Sequence, residues 1–317
     1  MAQGGLSQDG PGLADAPVAR AIVDAHHHVW DTARTNHPWL RCNPPIPFRY
    51  GDYSAIRAPY LPDRYRADAA PWRVVASVYV EAEWDPADPT GEMDYIAALR
   101  RQEGLPSVAV AQAWLDRSDC TAVLESHAAR NFVRSVRHKP RSNRSPRVGA
   151  PGGMADATWR AGFAQLAPLG LRFDLQTPWW HLDEALALAS DFPATQIILN
   201  HAGLPSDRSA EGIAAWRAAM ARLAAAPNVA VKISGLGQPG RAWTAEANRE
   251  VVLTTIDHFG AERCMFGSNF PVDSLCGSFG EIYGGFERIV AAFTPVEQDA
   301  LFAGNARRIY AIGGSDV

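Results

Sequence analysis

The sequence lacks long apolar runs. No stretch of 18 apolar residues occurs in its 317 residues, so no bilayer-spanning helix is expected. Cysteine is scarce. Cys42, Cys120, Cys264 and Cys276 show no close metal-binding spacing and read as reduced thiols of a cytoplasmic protein. An excess of one charge is also missing. The 30 basic and 34 acidic residues leave a net charge of −4, mixed along the chain, which argues against nucleic acid as the main partner. The N-terminus has no basic region followed by an apolar stretch, so no secretory signal is expected. No Gly-x-Gly-x-x-Gly turn follows the first apolar run, which counts against an open dinucleotide-binding sheet.

What is present is enough apolar material for a large core, at 47% of residues. Residues 1–17 are mostly small and polar and read as a disordered arm, with one domain over 18–314. Eight short apolar runs read as strands: 21–25, 74–80, 108–113, 132–136, 171–175, 196–199, 229–233 and 264–266. Helical patterns over 93–102, 155–166, 182–191, 213–225, 245–259 and 279–293 separate most of them. Eight strands with intervening helices is the count of a single (β/α)8 TIM barrel. Two stretches are too long for ordinary connections. Residues 34–66, rich in proline and aromatics, read as a long loop over the catalytic face. Residues 139–154 form a basic Gly/Pro-rich loop, either solvated or in contact with an anion.

Chemistry in such barrels sits at the C-terminal strand ends. The first run ends in His26-His27-His28. Alternation along a strand sends His26 and His28 to one face and His27 to the other. Two imidazoles on one face can share a metal ion or hold a water and a substrate oxygen; solvated histidine is the plainer alternative. The second run leads into Glu81 and Glu83. A carboxylate there is costly to bury unless paired, so one of the two is read as a site residue and a structural salt bridge is the alternative. The fourth run ends in Arg137-His138-Lys139. The planar fork of Arg137 suits a carboxylate or a lactone oxygen. This cluster and the basic loop point to a small anionic substrate, and Trp179 and Trp180 to a part of it that is flat or apolar. His201 ends the sixth run, just before Gly203 and Pro205.

Taken in order, these segments resemble the amidohydrolase superfamily over about residues 20–312. The closer resemblance is to its branch of metal-dependent TIM-barrel hydrolases, which includes sugar-lactone and pyrone-dicarboxylate lactonases. The segments are Ile22 to Asp31, His37-Pro38-Trp39-Leu40, Val136-Arg137-His138, Leu199 to Pro205, Arg263 to Pro271 and Gly304 to Tyr310. The resemblance implies that His26, His28 and His201 are site residues that can hold a divalent metal such as Zn²⁺. It also implies an aspartate after strand 8, where this chain has Asn269. Asparagine has no anionic form and is a poor metal ligand. Catalysis without metal therefore stays open, and water has to be activated by a carboxylate from elsewhere or by His201. Glu83 is the first candidate and Asp273 the second. The implied activity is hydrolysis of a lactone ring, with His26, His28 and Arg137 polarising the carbonyl. A non-oxidative decarboxylase-like lyase and a binding homologue without turnover are the alternatives.

Overall fold

The computed structural model describes residues 20–316 except Pro71, so the expected arm over 1–17 lies outside the described residues. Eight strands follow in chain order: β1 (Ala21–His27), β2 (Arg73–Val80), β3 (Val108–Gln112), β4 (Val133–Arg137), β5 (Arg172–Leu175), β6 (Ile197–Leu199), β7 (Val229–Ile233) and β8 (Cys264–Phe266). Every neighbouring pair is parallel and the spatial order equals the chain order. The strands are rich in Val, Ile and Phe and buried on both faces, as parallel strands covered by helices must be. This is the expected TIM barrel, and each strand lies within two residues of its expected bounds. Helices over Gly91–Glu103, Ala157–Phe163, Leu182–Asp191, Ala210–Leu223, Ala245–Phe259 and Phe279–Ile289 match the expected six. Cys120–Ala128 and Pro62–Ala69, the latter beginning inside the stretch read as a loop, were not anticipated; nine and eight residues are too few to show a helical period. Among the described residues no helix is long and apolar enough to cross a membrane, and all four cysteines are free.

Closure between β8 and β1 is made by the segment after β8. Asn269 N donates to His26 O at 2.7 Å, and His28 N donates to Phe270 O at 2.7 Å. Asp24 fastens the same corner, accepting from Ser268 N at 2.7 Å and Ser268 Oγ at 2.6 Å. Gly267 permits the approach, because a Cβ there would lie 2.8 Å from His26 Cβ.

The barrel interior is layered. An apolar layer (Val23, Val78, Val110, Ile198 and Met265 among others) is plugged by Ile309 and Tyr310. A buried polar group lies in the interior with it. Lys232 Nζ, fully buried, lies 2.8 Å from Asp174 Oδ1. Asp174 also accepts from Tyr310 Oη at 2.8 and 2.9 Å and from Asn200 Nδ2 at 2.8 Å. Removing one member strands a buried charge, which typically costs about 3–5 kcal/mol. Asp174→Asn should therefore lower the urea midpoint strongly, and adding Lys232→Met should recover part of the loss. Equal midpoints for Asp174→Asn and wild type would contradict the pairing.

Two buried histidines outside the cavity give a pH prediction. Burial is the main cause that lowers His27 and His127 from 6.5 to about 4. The unfolded chain then binds more protons below pH 6.5, so stability is full above that pH and is lost as the pH falls toward 4. Thermal unfolding at a series of pH values should show this decline, and His127→Gln should show a shallower one. A midpoint independent of pH between 6.5 and 4.5 would contradict it.

Candidate functional site

A cavity of about 250 Å³ opens at the C-terminal ends of the strands. Its floor carries His28, Arg137, Gln176, His201 and Asn269. Its rim carries Glu83 and Lys139, and its wall comes from the 34–66 loop through Trp39, Ile46, Pro47, Phe48 and Arg49. The expected role of that loop as a cover is thus seen, and Trp39 pins it by donating its indole N–H to Ala82 O at 2.8 Å. Three non-glycine residues of the cavity hold left-handed backbone: Glu83 (φ 59°), His201 (φ 56°) and Asn269 (φ 56°). Each such conformation costs about 1–3 kcal/mol and persists where the surroundings impose it, commonly at functional sites.

The imidazoles come together as the strand pattern requires. His26 and His28 have ring centroids 5.2 Å apart, and His26 and His201 4.5 Å. His27 lies on the other face against Tyr65, at 4.5 Å. Burial is the largest cause that holds all three site histidines well below 6.5, so they are neutral. Lys232 adds to this at His26, Arg137 at His28, and Arg49 at His201. Neutral His28 places its proton on Nδ1, which donates to Val80 O at 2.7 Å. Its pocket-side nitrogen is therefore an acceptor, so His28 cannot polarise a carbonyl by donating from that atom. His201 Nδ1 lies 3.0 Å from Ser234 Oγ. Gly235 is needed beside it, since a Cβ there would meet His201 Nδ1 at 2.3 Å. Both ring nitrogens of His26 are buried without a partner.

The carboxylates divide. β2 ends at Val80, so simple alternation stops there. Glu81 is buried and structural: it takes Arg137 Nε, and it accepts from the Glu83 backbone N–H at 2.8 Å. Glu83 sits at the rim with a side chain 44% exposed, paired with Lys139. Arg137 spends most of its donors on Glu81, on Gln176 Oε1 at 2.9 Å and on Asn200 Oδ1 at 3.4 Å.

Asp273 does not reach the cavity. Its Oδ1 accepts from Tyr50 Oη at 2.7 Å and from Asn269 Nδ2 at 2.6 Å, behind the cavity lining. Burial raises its pKa. Asn269 is in consequence oriented: one amide N–H is held by Asp273, and the carbonyl oxygen is left for the cavity. His138 is also turned away, because its Nδ1 accepts from Leu115 N at 3.1 Å and Trp159 Nε1 at 2.9 Å. Trp179 and Trp180 pack edge to face outside the cavity, and Trp180 Nε1 donates to Asn143 O at 3.2 Å. The aromatic wall is instead Trp30, Trp39 and Phe48, the last two stacked at 5.7 Å. Of the basic loop only Lys139 lines the cavity. Arg49 was missed; the signal was a single cation between Phe48 and Tyr50 in an aromatic loop.

A metal is tested by the same residues. The bare ring of His26 and the pocket-side nitrogens of His28 and His201 are the donors available. Among the described residues, however, no three His, Cys, Asp or Glu side chains converge as a metal-binding group. Asn269 supplies no anion, and Lys232 and Arg137 press positive charge on the imidazoles. As arranged, the donor set does not fit a tightly held divalent ion.

Comparison with known proteins agrees with the geometry. The amidohydrolase family model matches residues 23–312. An uncharacterized protein, y4mH, of Sinorhizobium fredii is 38% identical, covering 92% of this chain and 99% of the relative. An L-fucono-1,5-lactonase of Burkholderia multivorans is 27% identical, covering 92% of this chain and 96% of the relative. Among solved structures, a zinc-bound amidohydrolase of Burkholderia multivorans superposes with a TM-score of 0.75 at 25% identity, over 92% of this chain and all of the other. A divalent metal thus occurs among the structural neighbours. A match over nearly the whole barrel, with the histidines of β1 and β6 brought together, shows that the chain belongs to the amidohydrolase family.

Proposed function

We propose that this protein is a hydrolase that opens the lactone ring of a small anionic molecule by attack of water. The observation that carries the reading is the set of groups facing one small cavity: Glu83 and Lys139 at the rim, and Arg137, His201 and Asn269 at the floor. The L-fucono-1,5-lactonase relatives support the same bond type.

Glu83 takes a proton from water as the water attacks the carbonyl carbon. The Asn269 carbonyl oxygen accepts the water's other hydrogen and aims it. The carbonyl oxygen gathers charge and is met by the remaining Arg137 N–H and by His201, whose Nε2–H is available when Ser234 donates to Nδ1. The ring C–O bond then breaks. Its oxygen takes a proton from Lys139, which stands in contact with Glu83, and the pair exchanges protons to return to its starting state. His28, whose pocket-side nitrogen is an acceptor, completes the floor, with neutral His26 beside it. They and His201 are the residues to which a divalent ion such as zinc would go. There it would supply Lewis-acid chemistry, but the donor set as arranged does not fit a tightly held ion and no step above depends on it.

Loss of a general base typically costs about 10²–10⁴ in rate. Glu83→Gln should lower kcat by that order while the unfolding midpoint barely moves, because the side chain is half exposed. Asn269→Ala should cost less, since it orients water without taking the proton. The assay is a panel of carboxylated and neutral lactones together with aromatic acids, with ring opening and carbon dioxide release followed separately. Ring opening that depends on Glu83 supports the reading. Carbon dioxide release, or turnover in Glu83→Gln equal to wild type, would contradict it.

A further inference from the structure

We propose that Arg49, delivered by the 34–66 loop, is the residue that selects a carboxylate-bearing ligand. The proposal rests on the lactonase reading only for the identity of the ring that carries that carboxylate.

Four cations stand near the floor and rim, and three have carboxylate partners. Arg137 is paired with Glu81, Lys139 with Glu83 and Lys232 with Asp174. Among the described residues Arg49 forms no salt bridge. One Nη2 meets Tyr50 Oη at 2.7 Å and Gly235 O at 3.1 Å, both uncharged. Asp273 feels the Arg49 charge, which acts to lower its pKa, but no direct hydrogen bond joins them; the link runs through the Tyr50 hydroxyl, which donates to Asp273 at 2.7 Å. Arg49 is exposed and lines the cavity; its guanidinium lies 4.5 Å over the Tyr50 ring, which braces it on one side. Gly235 keeps space for it, because a Cβ there would sit 2.7 Å from Arg49 Nη2.

A guanidinium held at one edge, with its other donors free, is pre-organised for a carboxylate, which it meets with two parallel hydrogen bonds. The neighbouring wall of Trp39 and Phe48 suits the apolar face of a ring, and about 250 Å³ suits a single ring. The ligand class is therefore a one-ring molecule with a carboxylate at its outer edge. Its reacting carbonyl points to Arg137 and His201, and its charged end to Arg49. The anionic preference expected from Arg137, His138 and Lys139 then has a different physical source. His138 faces away, and the other two are already neutralised.

The test is binding of two isosteric rings that contain no lactone, tetrahydropyran-2-carboxylate and tetrahydropyran-2-carboxamide, by titration calorimetry at low and high salt. A hydrogen-bonded charge contributes enough to give wild type about a 10- to 100-fold preference for the acid. The preference should shrink with salt. Arg49→Met should bring the ratio near one, and Arg49→Lys should keep part of it, because the charge remains without the fork. The ratio is the readout, so a general loss of folding would weaken both ligands alike. A wild-type ratio near one, no measurable binding of the acid, or an unchanged ratio in Arg49→Met would overturn the proposal. An enzyme that prefers the acid but opens no lactone contradicts the hydrolase reading alone. One that opens lactones with a ratio of one contradicts only this proposal.

Discussion

The barrel is closed by the residues that also build its site. β1 and β8 meet through the backbone of His26 and His28 on one side and of Asn269 and Phe270 on the other, with Asp24 clamping Ser268 beneath them. The positions of two imidazoles and of the Asn269 amide are therefore consequences of closing the sheet. Loosening this corner would shift the floor of the cavity and open the edge of the barrel at the same time.

Burial and charge then set the chemistry of that floor. A carboxylate after strand 8 would offset the positive field of Arg137 and Lys232. Asn269 supplies no such charge, and burial together with the nearby cations holds the histidines neutral. The carboxylate four residues on, Asp273, orients the amide and anchors Tyr50. Through Tyr50 it also steadies Arg49, so a residue outside the cavity ties the loop above the site to the floor below.

Much of this was legible in the sequence. Apolar runs bounded by glycine, proline and polar residues located all eight strands, and alternation correctly separated His27 from His26 and His28. Alternation failed where strands end. Glu81 and Glu83 part company because Glu83 takes left-handed backbone, a property of the turn and not of the strand. His138, Trp179 and Trp180 carry the right chemistry in the right segments, yet His138 is committed to Leu115 and Trp159 and Trp180 to Asn143, while Trp179 packs edge to face on Trp180. Pairing of that kind is set by three-dimensional packing. Arg49 was hidden for the complementary reason: nothing local reveals that a loop cation lacks a carboxylate partner.

The central claim is that neutral imidazoles and a rim carboxylate, without a tightly held ion, carry the hydrolysis. It is tested most directly by measuring metal content and lactone turnover on the same preparation before and after exhaustive chelation. The account predicts metal well below one equivalent and a kcat that survives its removal. Stoichiometric metal whose removal abolishes turnover, and whose return restores it, would contradict the account.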